Sequence, residues 1–349
     1  MLNFDPNTLP GLIEQGYIMC QVHPTLPLTI YNYTSSVQYA KAWNPATLAC
    51  RGLVLDDQYR PIARPLTKFF NLQEFPESLP NGIPSIYEKL DGSLILLFFY
   101  AETWHVASRG SFTSEQAIKA SELLPNYPEH QDLDQTYTYI LEIIYPNNRI
   151  VLDYGNSERL VMLAAINTQT GIELDLDCIA WSDRAKSYPA TEVPEWIASL
   201  NESELENQEG FILKWPNGFR IKYKLAEYVR LHRVLTRIQA KDIWECLSEK
   251  QDLAPFLEAV PDEFYQWVKT VTQDLEAQYA AIEAECLASF KDLGDRKATA
   301  AYFQTQSNAN IKVLFLMLDK RDYSSVIWKQ IKPPFQRPFR LDPDAQPES

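Results

Sequence analysis

A chain of 349 residues, 46% hydrophobic and 22% charged, has an ordinary globular composition and a length that suits two domains, or one large domain with a smaller companion. No window approaches eighteen uninterrupted apolar residues, which excludes a transmembrane helix; the start lacks the order of a secretory signal, and the five cysteines form no Cys-x-x-Cys pair, so a reduced, cytoplasmic protein without disulfide framework or zinc site is expected. The net charge of −14 is uneven: residues 219–241 and 291–340 each carry +6 and the remainder −26, so a polyanion can still be held locally, because contacts are screened beyond about 10 Å.

In chain order, residues 1 to about 225 are punctuated by Pro, Gly and Asn. Their short apolar runs predict strands at 53–55, 85–88, 94–99, 104–108, 138–144, 161–166 and 210–215. Pro216-Asn217-Gly218 is a hairpin signal joining 211–215 to 219–224. Beyond Lys224 the strand-like runs cease. Helical periodicity follows near 225–240, 242–259, 261–290, 296–304 and 308–320. Five prolines between Pro333 and Ser349 predict an extended or disordered tail. The expected organisation is an α+β domain of antiparallel sheets with helices over 1–235, an all-α domain over 236–332 and a tail over 333–349.

Phosphate loops of the Gly-x-x-x-x-Gly-Lys-Ser/Thr kind, dinucleotide fingerprints, Gly-x-Ser-x-Gly elbows and His-Glu-x-x-His are all absent from the sequence. What stands out is Glu88-Lys89-Leu90-Asp91-Gly92-Ser93, a turn between two predicted strands. A lysine amine attacks phosphorus only when neutral, and nearby cations with partial burial are how such nucleophiles are made. Cations occur in Phe219-Arg220-Ile221-Lys222-Tyr223-Lys224, where period-two alternation puts Arg220, Lys222 and Lys224 on one strand face. Like charges in a row need an anion opposite, and a triphosphate would serve. Taken alone, the same pattern also fits an amphipathic strand with its polar face in water.

Upstream, Arg51-Gly52 precedes an apolar run, and Lys68-Phe69-Phe70-Asn71 follows. Two cations and an aromatic pair suit a nucleotide's phosphates and base; a core Phe pair flanked by surface charge is the other explanation. Glu142 stands in Tyr139-Ile140-Leu141-Glu142-Ile143-Ile144 and Glu209 opens Glu209-Gly210-Phe211-Ile212. A carboxylate in an apolar strand is costly unless paired or bound. Two of them near a lysine face suit Mg²⁺, which takes one or two carboxylates plus phosphate oxygens and water.

Lys-x-Asp-Gly, an acidic strand, Glu-Gly-apolar and Lys-x-Lys, in that order, resemble the covalent nucleotidyltransferase superfamily of ATP-dependent ligases and capping enzymes. More narrowly, the chain resembles the ATP-dependent RNA ligase 1 family of bacteriophage T4 type, through Tyr31-Asn32-Tyr33, Cys50-Arg51-Gly52, Lys68 to Asn71, Glu88 to Leu94, Ser108-Arg109-Gly110-Ser111, Glu142 through Val151, Glu209-Gly210-Phe211 and Lys222-Tyr223-Lys224. Lys-x-Asp-Gly alone is weak; the ordered set is specific. The resemblance implies that Lys89 is the catalytic nucleophile, attacking the α-phosphate of ATP to give a lysyl-AMP adduct. It further implies that Arg51 and Lys68 contact ribose and phosphate, that Phe70 and Tyr31 lie near the nucleoside, and that Glu88 and Arg109 belong to the nucleotide site. Glu142 would bind ribose or metal, Glu209 metal, and Lys222 and Lys224 the α-phosphate. Mg²⁺, replaceable by Mn²⁺, would be the metal. RNA ends would be the partners, with tRNA repair among the roles and the helical domain contributing to RNA docking. Where the family's best-known member has lysine, this chain has Arg109, so a point charge becomes a planar fork. A DNA ligase or capping guanylyltransferase is the nearer alternative, although those usually continue into a small β-barrel where this chain turns helical. A non-catalytic RNA-binding module is the more distant one.

Overall fold

The computed structural model describes residues 2–72, 75, 78–148, 150–200, 205, 208–226, 228–229, 239–253, 265–305 and 310–333. The chain divides into two units, Met1–Leu235 and Thr236–Ser349.

The first unit is built on three sheets, antiparallel except for one short parallel pairing. One runs β1 (Ile18–Val22), β2 (Leu28–Tyr33), β3 (Arg51–Asp56), β4 (Pro61–Ala63) in that order. A second has the order β10 (Arg159–Asn167), β9 (Tyr137–Ile144), β7 (Ser93–Tyr100), β8 (Thr103–Ser108). The third has the order β11 (Ser187–Tyr188), β6 (Ser85–Lys89), β12 (Gly210–Lys214), β13 (Arg220–Lys224), β5 (Phe70–Asn71), with β5 and β13 parallel.

Strand β7 explains the layering. Its sequence, Ser-Leu-Ile-Leu-Leu-Phe-Phe-Tyr, does not alternate because both of its faces are covered. Ile95 and Leu97 enter one core with Tyr139, Leu141, Ile143 and Trp181, while Leu96 and Phe98 enter another with Leu28, Ile30, Val54 and Ile140. The third sheet buries Ile86, Phe211, Leu213 and Ile221 against Trp196 and Trp215. Its opposite face is left for polar chemistry. Between β2 and β3 lie two short helices, α1a (Ser35–Ala40) and α1b (Pro45–Ala49). The second is fixed at its start by Asn44, whose side chain accepts from the amides of Ala46 and Thr47, both at 3.0 Å.

The second unit is helical: Ala240–Ser248, Tyr265–Ser289, Arg296–Phe303, Ile311–Leu318 and Ser324–Gln330. Cys286, Phe303, Val313, Leu314 and Ile327 form its core, and the Trp244 indole donates to the Trp328 carbonyl at 2.8 Å. The helix expected over 242–259 stops at Ser248, where Lys250 takes a left-handed conformation (φ 56°); residues 254–259 lie outside the described residues. So do most of the helix expected over 225–240 and nearly all of the tail.

Candidate active site

The register of the third sheet creates the site. Lys89 at the end of β6 pairs with Gly210 of β12, and Gly210 pairs in turn with Lys224 at the end of β13. Cross-strand partners share a face, so the two lysines flank a residue with no side chain. Only glycine fits between them: Gly210 has φ +153°, and a Cβ there would come within 2.1 Å of the Tyr223 carbonyl oxygen. Glu209, 3% exposed, bridges both lysines. Its Oε2 is 2.7 Å from Lys89 Nζ and its Oε1 2.9 Å from Lys224 Nζ. Burial opposes the charge on Glu209, but the two ammoniums outweigh it and hold the carboxyl below its ordinary range.

Glu142 projects from β9 toward the same place. Its Oε1 accepts from the amide of Gly92 at 3.1 Å, which ties the second sheet to the Lys89–Gly92 turn. Gly92 is demanded by that closeness, since a Cβ would lie 2.4 Å from the Ile143 carbonyl oxygen and 3.0 Å from Glu142 Cγ. Glu142 keeps some accessible surface, yet it sits deep enough that desolvation dominates, and its carboxyl is pushed up to about 7. Lys89 and Arg51 pull the other way, and Glu209 adds to the rise. Those couplings gather Lys89, Arg51, Glu142 and Glu209 in one electrostatic field.

Asp91 has a supporting role that sequence reasoning missed. It is 4% exposed. Its Oδ2 accepts from the amides of Val151 and Leu152 at 2.8 and 2.7 Å, and its Oδ1 from the Tyr228 hydroxyl at 2.7 Å. The Asp91 amide donates to the Tyr154 hydroxyl at 3.1 Å. Tyr228 also presents its ring to Lys224, whose Nζ lies 5.1 Å from the ring centre. One buried carboxylate thus links the Lys89–Gly92 turn to the residues after β13. The only sequence signal was the Asp of Lys-x-Asp-Gly; its partners are remote in the chain. Asn148 Nδ2 likewise donates to Ser93 Oγ at 3.1 Å, beside the turn. Arg149 lies outside the described residues.

The remaining predicted residues divide. Lys222 pairs with Asn71 across β13 and β5, and both are buried. Lys68 and Phe70 lie at that edge of the sheet, Nζ being 5.7 Å from the Phe70 ring centre. Arg51 places its guanidinium 5.4 Å from the Phe69 ring centre, and Arg109 places its own 5.6 Å from that of Tyr33. The Arg109 backbone passes close to Gly52, where a Cβ would be 3.3 Å from the Arg109 carbonyl oxygen. Two expected residues are not brought to this group. Tyr31 is buried with Leu9, Ile18, Leu53 and Leu55 in a core of the first sheet, which pushes its hydroxyl up to about 12 through burial; Tyr33 takes the position beside the cations. Glu88 pairs with Phe211 and so belongs to the strand face opposite Lys89. The row of cations on β13 is partly answered from within: Arg220 pairs with Glu173, which also meets Lys214 at 2.8 Å.

Among the described residues no cluster of three or more His, Cys, Asp or Glu is gathered. A divalent cation that relies mainly on protein ligands does not fit. One that takes Glu142, phosphate oxygens and water does. Glu142 is the carboxylate for which such a cation does most, because burial penalises its charge. Glu209 was expected to hold metal too, but both of its oxygens are taken by lysines.

The sequence model of the RNA ligase family matches residues 49–228, which contain every group of the site described above except the helix pair, Tyr31 and Tyr33. The chain is 27% identical over 226 residues to a protein of Autographa californica nuclear polyhedrosis virus provisionally named a bifunctional polynucleotide kinase/RNA ligase, covering 56% of this chain and 32% of that one. It therefore spans about a third of that relative's length. It is 23% identical over 322 residues to the RNA ligase of Rhodothermus phage RM378, covering 69% and 71% of the two. Among solved structures it is similar to a provisionally named ATP-dependent DNA ligase from Aquifex aeolicus, with a TM-score of 0.50 and 13% identity over 91% of this chain and 89% of that one. At that identity the likeness shows the fold of an ATP-dependent ligase.

Proposed function

The chain belongs to the RNA ligase family, and from that premise we propose that it joins RNA 5′-phosphate and 3′-hydroxyl ends with ATP, carrying AMP on Lys89. The observation that carries this reading is the pair Lys89 and Lys224, aligned across Gly210 and held by one carboxylate. A binding module needs no such nucleophile.

In the first step Lys89 Nζ forms a bond to the α-phosphorus while the bond to the β-phosphate oxygen breaks and pyrophosphate leaves. Lys222 and Lys224 offset the charge gathering on the α-phosphate. Glu209, freed as Lys224 turns to phosphate, is placed to take up the Lys89 proton. In the second step an RNA 5′-phosphate oxygen displaces Lys89 from the adenylate. In the third, a 3′-hydroxyl attacks the 5′-phosphate and AMP departs. Glu142 would hold Mg²⁺, which would supply electrostatic stabilisation of the phosphate oxygens. Repair of broken RNA, tRNA included, in the cytoplasm is the role that suits this chemistry, with the helical unit contributing to RNA docking.

Incubation with α-labelled ATP and Mg²⁺, followed by denaturation, tests the proposal. Label stays on the chain and is absent from Lys89→Ala. A chain first stripped of AMP with pyrophosphate that still takes no label from ATP sinks the ligase reading.

A further inference from the structure

Asn71 carries a buried amide that the fold leaves unbonded. The residue is 3% exposed, and its Oδ1 accepts no hydrogen bond among the described residues. A buried acceptor without a donor has given up its bonds to water and gained none in return, a standing cost to folding. Beside a reaction site, such an atom is accounted for by a ligand that brings the missing donor.

The third sheet shows which way the amide faces. Alternation puts Asn71 on one face of β5 and the next residue, Leu72, on the other. Leu72 packs in the core with Phe211, Leu213 and Ile221. Asn71 is paired with Lys222, which shares its face with Lys224, two residues along β13. Lys224 in turn flanks Gly210 on the side opposite Lys89. Asn71 therefore belongs to the face that carries Lys89 and Lys224. It stands one strand spacing, about 4.8 Å, from Lys222.

The neighbours define the ligand. A cation on the adjoining strand favours the oxygen end of the amide on its side. That oxygen accepts only from an N–H or O–H. Ionised phosphates offer neither, so the polyphosphate of ATP is not its partner. The group bonded to the α-phosphate is the ribose, whose hydroxyls are donors; the amine of adenine is a donor too, but it stands at the far end of the nucleoside. Resting on the ligase reading above, we propose that Asn71 is a specificity-determining residue for adenylylation, its Oδ1 accepting a hydrogen bond from a ribose hydroxyl of ATP while Lys222 and Lys224 hold the α-phosphate. The nucleotide then completes the bond that the fold withholds.

The experiment uses Asn71→Leu, which removes the polar atoms at nearly constant shape, and Asn71→Ala, which removes them without adding bulk. Adduct formation is measured from α-labelled ATP, 2′-deoxy-ATP and 3′-deoxy-ATP, and urea unfolding is measured without nucleotide. Both variants lower kcat/KM for ATP about 10-fold, as loss of one buried hydrogen bond implies. The unaltered chain uses one of the two deoxynucleotides about 10-fold less well than ATP, and in both variants that preference shrinks to less than about 2-fold. Without nucleotide, Asn71→Leu is at least as stable as the unaltered chain, because the acceptor it removes had no partner. A residue that served only the fold would lose stability instead. An undiminished preference for the ribose hydroxyl, or a fall in stability in both variants, overturns the assignment. Adduct formation at the unaltered rate with slower sealing of RNA puts the partner hydroxyl on RNA and overturns it as well. If the unaltered chain forms adduct and both variants match it, this inference alone falls. If the unaltered chain forms none, the ligase reading falls and takes it along.

Discussion

Glu142 is a carboxyl whose proton the fold holds up toward neutral pH and that the proposed chemistry would use ionised. Burial raises its pKa to about 7 from an ordinary 4.5, against the pull of Lys89 and Arg51. The native state therefore binds this proton more tightly than the unfolded chain does. Stability falls as pH rises through the window from about 4.5 to about 7, by up to ~3 kcal/mol if the whole shift is expressed. Glu142→Gln keeps the shape and removes the titration. The variant should gain stability relative to the unaltered chain as pH rises through that window, in urea unfolding without nucleotide or metal, while losing adduct formation. Parallel stability–pH curves for the two proteins would show that Glu142 ionises freely. The same residue predicts that Mg²⁺ binding strengthens as pH passes 7, because the metal competes with that proton.

At the scale of elements, the hairpin β12–β13 does most to assemble the site, and Gly210 is its tightest point. An alanine Cβ at 2.1 Å from the Tyr223 carbonyl oxygen meets backbone, which cannot swing aside as a side chain can. Gly210→Ala should cost about 2–4 kcal/mol in denaturant unfolding and abolish adduct formation, because prising β12 from β13 separates Lys224 from Glu209. Wild-type adduct yield in that variant would mean that the register does not matter to the reaction. Alternation within these strands was legible in the sequence: Arg220, Lys222 and Lys224 were readable as one face, and β6, β7, β9 and β10 as apolar runs. The elements that escaped did so for physical reasons. In β1, Met19 and Val22 are 50% and 68% exposed, so its apolar residues do not mark the buried face. In β2, a register shift between Tyr31 and Asn32 breaks the period of two, so spacing could not tell that Tyr33 rather than Tyr31 stands by Lys68 and Arg109. Asp91 was visible as a motif residue, but its bonds to Leu152 and Tyr228 span 61 and 137 positions, distances at which sequence pattern carries no signal.

For the molecule as a whole, the chain divides into Met1–Leu235 and Thr236–Ser349, and the groups of the proposed chemistry lie in the first of these. Lys89, Glu142, Glu209, Lys222, Lys224 and Lys68 all belong to the first unit, which has several hydrophobic cores of its own. The helical unit has a separate core around Phe303 and Ile327. On the proposed mechanism, adenylylation would need only ATP, metal and the first unit, whereas the two later steps would need RNA held in place. A chain ending at residue 235 should therefore take label from α-labelled ATP within a few-fold of the full chain, yet seal 5′-phosphate RNA far more slowly. The deficit should be largest at low salt and narrow as salt rises, because the basic stretch over 291–340, which carries +6, would supply phosphate contacts whose contribution weakens with salt. The measurement is adduct yield and sealing rate for both chains between low and moderate salt. A truncated chain that folds, takes label and seals RNA as well as the full chain would assign the helical unit a role outside ligation.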